Sequence, residues 1–347
     1  MLHVALVGAG GMARNYRKIY TLLPDVEWTA AIDLNPEQLE KCRAEGAKRT
    51  SEDFAEALEM DIDLVDISTP NHLHEQQAVA ALVAGKHVLL QKPIANTMEA
   101  AGRILKAAAG SKGVLGMYMS SYANPMVWEI KQMMEEGHLG KIQSVRARDS
   151  HRGGLRHPPE ATWRSSRDQT GGGSFIQLSI HAVNLMQWWL SSPIVEVSAF
   201  SQNQYSPNIG GDDLTVCIAK FAGGAFGVFD SGYASEGVIR EIYGTAGWVR
   251  MFERENQLEM NLDRPYTSGW LNYDTPGIRK TFSMPPRVLD DASSPINPHR
   301  MFIEAIRTGK KPMMDGETGR RDLAVVIAAY ESAAQNKSVA VCNSKTA

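Results

Sequence analysis

The apolar run Val4-Ala5-Leu6-Val7 passes directly into Gly8-Ala9-Gly10-Gly11-Met12-Ala13, and a second apolar run, Trp28 to Ile32, ends in Asp33. No other feature constrains the fold as tightly. A strand ending in a glycine turn, a helix-compatible segment from Met12 to Leu23, and an acid about twenty residues past the turn describe the first βαβ unit of a dinucleotide-binding sheet. Gly8 permits the tight turn, Gly10 lets backbone approach a pyrophosphate, and small Ala13 allows helix and strand to pack closely. Gly11 and Met12 belong to the same phosphate-facing loop. A helix beginning here aims unpaired N–H groups and its positive dipole end at the phosphates. A carboxylate at Asp33 accepts both ribose hydroxyls and repels a 2′-phosphate, so the expected cofactor is NAD in preference to NADP.

With 347 residues, 43% of them hydrophobic, the chain has material for two packed cores. Its formal net charge of -3 lacks the basic footprint of phosphate-backbone binding, which argues against nucleic acid as a partner. Cys42, Cys217 and Cys342 lie far apart without metal-ligand spacing. Neither a disulfide framework nor a zinc site is expected, and a reducing, cytoplasmic setting fits. The sequence enters a strand without a basic leader, and no apolar run approaches the roughly 18 residues of a bilayer span, so neither export nor a membrane partner is expected.

Through about residue 122 short apolar runs alternate with amphipathic stretches: Pro36 to Glu45, Leu64 to Ser68, Glu75 to Ala84, His87 to Leu90 and Met98 to Gly110. Such alternation predicts an α/β, doubly wound parallel sheet with right-handed helical crossovers. After the helix cap and proline at Asn124-Pro125 the character changes. A helix ending near Gly137 leads to strand-like segments at Ile142 to Asp149, Val195 to Ser201, Leu214 to Phe221, Ala225 to Ser231 and Arg240 to Tyr243. Consecutive strands without helices between them predict an open, largely antiparallel sheet in an α+β domain. An alanine-rich helix over Gly319 to Gln335 closes the pattern. The expected division is residues 1–122 for the cofactor and 123–347 for substrate and oligomer contacts.

Three clusters carry candidate chemistry. Thr69-Pro70-Asn71-His72-Leu73-His74 and Gln91-Lys92-Pro93 each follow a strand of the parallel sheet, where such folds bind ligands at the carboxyl edge. Thr69, Pro70, Asn71, His74, Gln91 and Lys92 are therefore expected to border the cofactor crevice. Gly171-Gly172-Gly173, followed by Gln177 and His181, lies in the second half. The polar stretch Arg148 to Asp168 holds Arg148, Arg152, Arg156, Arg164 and Arg167 with His151 and His157, and long loops of this kind are often functional. The balancing acids Asp149, Glu160 and Asp168 leave a solvated loop as the plain alternative. Trp163, inside that loop, offers a face for sugar stacking, whereas Trp188 and Trp189 fit a helix core. His72 with His74, and His151 with His157, lack carboxylate or cysteine partners at ligand spacing, so no metal is expected.

Together these motifs resemble the Gfo/Idh/MocA family, over nearly the whole chain. The resemblance includes the Thr-Pro-Asn-x-x-His element, the Lys-Pro step, Gly137 to Ile142, Gly244-Thr-Ala-Gly247, and Ala329 to Ser332. It implies a Rossmann domain joined to an α+β domain whose open sheet mediates homodimers or homotetramers, and an oxidoreductase acting on sugars, inositols or related polyols with NAD(P). It also implies that Lys92 contacts the reacting hydroxyl and that His181 is the acid/base. Elementary chemistry agrees, because oxidising an alcohol releases a hydroxyl proton and histidine titrates nearest neutrality.

The departures concern charge. Gln91 stands where the family carries Glu, Gln177 and Asn184 stand where it carries Asp, and a serine at or near Ser121 replaces an arginine. Amides keep shape and hydrogen bonds but hold no negative charge. In one reading Gln177 and Asn184 bind sugar hydroxyls, with Trp163 beside them. In the other, lost negative charge admits an anionic or glycosidic substrate paired by Arg152, Arg156 or Arg164. Two further possibilities stay open: a redox-assisted glycoside-processing enzyme, and a regulator that holds nucleotide and sugar without turnover.

Overall fold

The computed structural model describes residues 1–158 and 162–342, which divide into two compact units. The first comprises Met1–Ala123 and Val288–Arg321; the second comprises Asn124–Arg287 and the described residues from Asp322 to Cys342.

The first unit is built on six parallel strands: β1 (Leu2–Val7), β2 (Val26–Ile32), β3 (Arg49–Ser51), β4 (Leu64–Ile67), β5 (His87–Gln91) and β6 (Leu115–Tyr118). Their spatial order is β3-β2-β1-β4-β5-β6. The order reverses at β1, and the crevice at that switch point is where such sheets take a dinucleotide. All four residues of β4 are buried, as expected of a strand covered on both faces. The helices begin where side chains cap them. Asn35 accepts from Glu37 N–H ahead of Pro36–Ala44, Asp53 accepts from Ala55 N–H ahead of Phe54–Glu59, and Thr97 accepts from Ala100 N–H ahead of Met98–Gly110.

Two features depart from the sequence reading. The segment Met12 to Leu23 is not one helix: a 3-10 turn, Ala13–Asn15, is followed by a single helical turn, Ile19–Leu22. Tyr16 leaves helical geometry at φ -140°, and its buried ring packs 4.6 Å from Tyr118 and 4.5 Å from His299. Packing of this aromatic layer outweighs a weak local helix signal that follows two glycines. The full helix dipole expected at the phosphates is therefore reduced to a short turn. Residues 288–321 also belong to this unit, although a linear division at residue 123 assigns them elsewhere. The helix Pro298–Thr308, capped by Asn297, seats Phe302 over Gly116, where a Cβ would lie 2.3 Å from its ring. Met117 N–H then donates to Met314 O at 2.8 Å, which covers the edge of β6.

The second unit holds β7 (Ile142–Ser150), β8 (Ile194–Gln202), β9 (Leu214–Phe221), β10 (Phe226–Gly232), β11 (Gly237–Gly244), β12 (Gly247–Phe252) and β13 (Gln257–Leu262). A small ribbon of β14 (Tyr266–Thr267) and β15 (Asn272–Tyr273) follows, then β16 (Lys280–Ser283) and β17 (Val339–Ala340). Nine strands form one sheet in the order β16-β13-β12-β11-β7-β10-β9-β8-β17. Only β7 and β10 run parallel; the other pairs are antiparallel. Along β9, Thr215, Cys217, Ala219 and Phe221 are buried while Val216, Ile218 and Lys220 face out, so one face of the sheet covers a core. The helix Ile180–Trp189 carries Trp189, buried and donating to Val127 O at 2.9 Å.

Candidate active site

In the first unit the turns after β1, β2, β4 and β5 share the carboxyl edge of the sheet. Gly8 has φ +85°, and a Cβ there would stand 2.8 Å from backbone of Ser68 and Thr69. Only glycine lets the turn after β1 lie against the turn after β4. Gly11 has φ +45°. Around a Cβ at either Gly10 or Gly11 no protein atom lies within 4 Å. Glycine there keeps the turn bare, which suits the approach of a phosphate. Met12 is exposed and Ala13 buried.

Asp33 is fixed beside this turn, its Oδ2 accepting Ala9 N–H at 2.7 Å and its Oδ1 accepting Asn35 N–H at 2.8 Å. Each oxygen keeps a further lone pair for a ribose hydroxyl. Arg17 holds the other polar group of the same residue, donating from Nη1 to Ala9 O at 3.0 Å. Its guanidinium is in turn bound by Glu45 through two nitrogens and by Gln38 at 3.2 Å. No motif singles out Arg17, because its partners come from a later crossover. The buried helix and strand residues thus leave a turn with its backbone pinned and its outer surface open, which fits a dinucleotide.

Thr69 and Pro70 are half-buried, and Asn71 is buried in a 3-10 turn. Thr69 Oγ1 donates to Gln77 Oε1 at 2.5 Å. His74 is wholly buried, with Nδ1 2.8 Å from Pro93 O and Nε2 3.0 Å from Thr69 O. Burial pushes its imidazole down to about 4 against the opposing pull of the carbonyls. His74 thus has no exposed surface, and it ties the segment after β4 to the segment after β5. Gln91 is buried at the end of β5, its Oε1 accepting Lys92 N–H at 3.0 Å. Lys92 is half-buried, and its peptide bond to Pro93 is cis.

In the second unit Gln177 lies in a π-helical turn, Phe175–Ser179, that runs without a break into Ile180–Trp189. His181 is the second residue of that helix and is half-buried; Gln177 is buried. The spacing of four then three residues puts Gln177, His181 and Asn184 on one stripe. Their surroundings differ. Asn184 is buried and donates to Asp322 Oδ2 at 2.7 Å, while Gln187 donates to Asp322 Oδ1 at 2.9 Å. Asn184, expected to bind substrate, is placed by the fold against Asp322. An aspartate at 184 would face a second buried carboxylate, which explains the amide there.

The arginine-rich stretch is partly structured. Arg148 and Asp149 belong to β7, paired with Asp230 and Arg240. The Arg164 guanidinium stacks on the Trp163 ring at 4.3 Å, while Arg152 and Arg156 are exposed. Glu160 lies outside the described residues. Among the described residues no group of three or more His, Cys, Asp or Glu side chains is placed to hold a metal ion, and no helix is long and apolar enough to cross a membrane.

Residues 2–119 match the family model described as the NAD-binding Rossmann fold of the oxidoreductase family, and residues 131–341 match its C-terminal alpha/beta domain. The chain belongs to the Gfo/Idh/MocA oxidoreductase family. Among relatives, levoglucosan dehydrogenase of Pseudarthrobacter phenanthrenivorans is 27% identical over 75% of this chain and 76% of its own length. Myo-inositol 2-dehydrogenase of Thermotoga maritima is 22% identical over 97% of this chain and 98% of its own. The fold is shared with a solved levoglucosan dehydrogenase in complex with NADH and levoglucosan, at TM-score 0.87 and 23% identity over 99% of this chain and 100% of that one. An aldose-aldose oxidoreductase from Caulobacter crescentus gives TM-score 0.85 at 24% identity over 98% and 99%. As a Gfo/Idh/MocA protein the chain is an oxidoreductase whose first unit is an NAD-binding Rossmann domain.

Proposed function

We propose that this Gfo/Idh/MocA protein transfers a hydride between NAD and a secondary hydroxyl or ketone of a sugar, an inositol or a sugar derivative. The observation that carries the reading is the glycine turn pinned by Asp33 and Arg17 at the switch point of the parallel sheet. The named activities of the relatives, dehydrogenases and reductases of sugars and inositols, point the same way. Bound NAD supplies the hydride acceptor. The residues assigned to it are Gly8, Gly10, Gly11, Met12, Ala13, Asp33, Thr69, Pro70 and Asn71, with Gln91 holding the backbone of Lys92.

Lys92 donates a hydrogen bond to the reacting hydroxyl and stabilises oxygen as its proton leaves. His181 accepts a proton on a ring nitrogen during oxidation and returns one during reduction. Gln177 offers an amide to a substrate hydroxyl, and the Trp163 face, backed by Arg164, suits an apolar sugar surface; Arg152 sits on the same arginine-rich segment. Free cysteines, two of them buried, accord with a cytoplasmic setting, and the acidic net charge accords with no nucleic-acid partner. Phe200, Val216, Ile218 and Phe226 are exposed on the open face of the large sheet, a surface that a second copy of the chain would cover.

The test is nicotinamide absorbance with purified protein, NAD or NADP, and a panel of inositols, sugars, uronic acids and glycosides. Polyol-dependent NADH formation supports the reading. Glycoside cleavage without net reduction replaces it with redox-assisted elimination, and silence on both replaces it with a sensor. Lys92→Met and His181→Asn should each lower turnover by about 10²- to 10⁴-fold with NADH affinity preserved. Near-normal turnover in either variant removes that residue from the mechanism.

A further inference from the structure

His181 sits on a helix whose start is held by Asp212, which lies outside every motif read from the sequence, and by Tyr330 of the Ala329 to Ser332 motif. The Asp212 carboxylate, buried, gathers five donors. Its Oδ1 accepts Gly173 N–H at 2.8 Å and the Tyr330 hydroxyl at 2.7 Å. Its Oδ2 accepts Phe175 N–H at 2.9 Å, Ser174 Oγ at 2.7 Å and Thr215 Oγ1 at 2.8 Å. The Tyr330 oxygen also accepts Gly173 N–H at 3.3 Å and Ile176 N–H at 3.2 Å. Burial, and then Asp212 itself, push the Tyr330 hydroxyl well above its ordinary value, so it remains a donor.

The first amides of the segment that becomes Phe175–Ser179 and then Ile180–Trp189 are thus bound to these two side chains. A helix start normally leaves such amides unpaired. The glycines make the approach possible. A Cβ on Gly173 would lie 1.9 Å from Asp212 O, one on Gly172 would lie 2.3 Å from the Tyr330 hydroxyl oxygen, and one on Gly211 would lie 2.2 Å from Gly173 N. A π-turn, a feature frequent at functional sites, then separates this anchor from His181.

We propose that Asp212, locked by Tyr330, is the positioning residue for His181. It fixes where the π-turn begins and hence where the imidazole stands. A carboxylate is required because it only accepts, whereas the amide of Asn would turn a donor toward other donors. The inference rests on the reading of His181 as the acid/base, and it concerns the second unit alone.

The experiment uses the full chain as Tyr330→Phe and Ser174→Ala, each removing one donor to Asp212. Histidine-labelled protein gives the ring Cε1–H resonance of His181, assigned through His181→Asn, and its pH titration. Both variants should displace that resonance and its midpoint while the His138 resonance stays in place. With a polyol that the wild-type protein oxidises, kcat should fall roughly tenfold to a hundredfold, the scale of an ångström-level misplacement, with KM and NADH affinity within about twofold. A lower melting temperature with His181 resonance, titration and kcat unchanged overturns the proposal and leaves Asp212 as a structural anchor. If Tyr330→Phe fails to fold, Ser174→Ala carries the same readouts. Wild-type protein inactive on every polyol would defeat the functional reading, while the resonance measurement would still decide the positioning role.

Discussion

Replacing Arg17 by methionine isolates what pins the glycine turn, because methionine keeps the length and apolar packing of the stem. The change removes the donor to the buried Ala9 carbonyl, both bonds to Glu45, and the bond to Gln38. A hydrogen bond involving a charged group is worth about 1.5–3 kcal/mol, and orphaning a buried carbonyl costs about 1–3 kcal/mol. The Glu45 side chain is 22% exposed, and Lys18 stands 4.0 Å away, so water and that lysine recover part of the loss. The lower ends of both ranges apply, giving about 2.5 kcal/mol and a melting temperature lower by about 5–10 °C.

NADH affinity, read by fluorescence quenching, should weaken about tenfold, equivalent to about 1.4 kcal/mol, because Asp33 still holds Ala9 N–H. Arg17→Lys should recover charge but not the fork, and so only part of the affinity. The acid limb of stability adds a sign. The hydrogen bond from Arg17 holds the Glu45 carboxyl below its usual range. That stabilisation is complete above the unfolded glutamate value near 4.3 and is lost as pH falls through the depressed folded value. The methionine variant should therefore lose less stability on acidification than the parent. A melting temperature within 1 °C of the parent, with NADH affinity unchanged, would refute the reasoning.

Asp33→Ser should shift the ratio of NAD to NADP efficiency toward NADP by at least about tenfold, since it removes the charge that opposes a 2′-phosphate; initial rates with both cofactors check this. Asn184→Asp places a second buried carboxylate against Asp322, across the 2.7 Å contact, and should cost about 3 kcal/mol at neutral pH. One of the two carboxyls then has a raised folded value, so the variant should regain stability as pH falls toward 4; thermal melts from pH 7 to 4 show the sign, and a loss parallel to the parent's would contradict it.

Much of the candidate site is legible in the sequence because its signals are local. Gly8 announces a left-handed turn, Asp33 stands at the strand end where a ribose-binding carboxylate belongs, and Lys92 and His181 sit inside short motifs. The helix Met98–Gly110 and the strand β9 coincide with their periodic patterns. Strand β13 is not marked in the sequence because Gln257-Leu-Glu-Met-Asn-Leu262 lacks the β-branched and aromatic residues typical of a strand. The helix Pro298–Thr308 escaped because its place in the first unit depends on Gly116, far back in the chain. The partners of His74 and Asn184 are not legible in the sequence, because a motif gives residue type and spacing but not which way a side chain is turned.

The sequence by itself determined the alternating parallel sheet, the change to a sheet of consecutive strands, the dinucleotide turn and the candidate acid/base, since periodicity and turn chemistry act over a few residues. Tertiary structure alone decided the partners. Asp212 meets Tyr330 across 118 positions, Asn184 meets Asp322 across 138, and Arg17 reaches Glu45 across 28. Such pairings form only when separate elements pack, because a buried polar group takes whatever donor or acceptor the fold brings to it. The same packing broke the helix expected after the glycine turn, where burying Tyr16 against Tyr118 and His299 outweighed local preference.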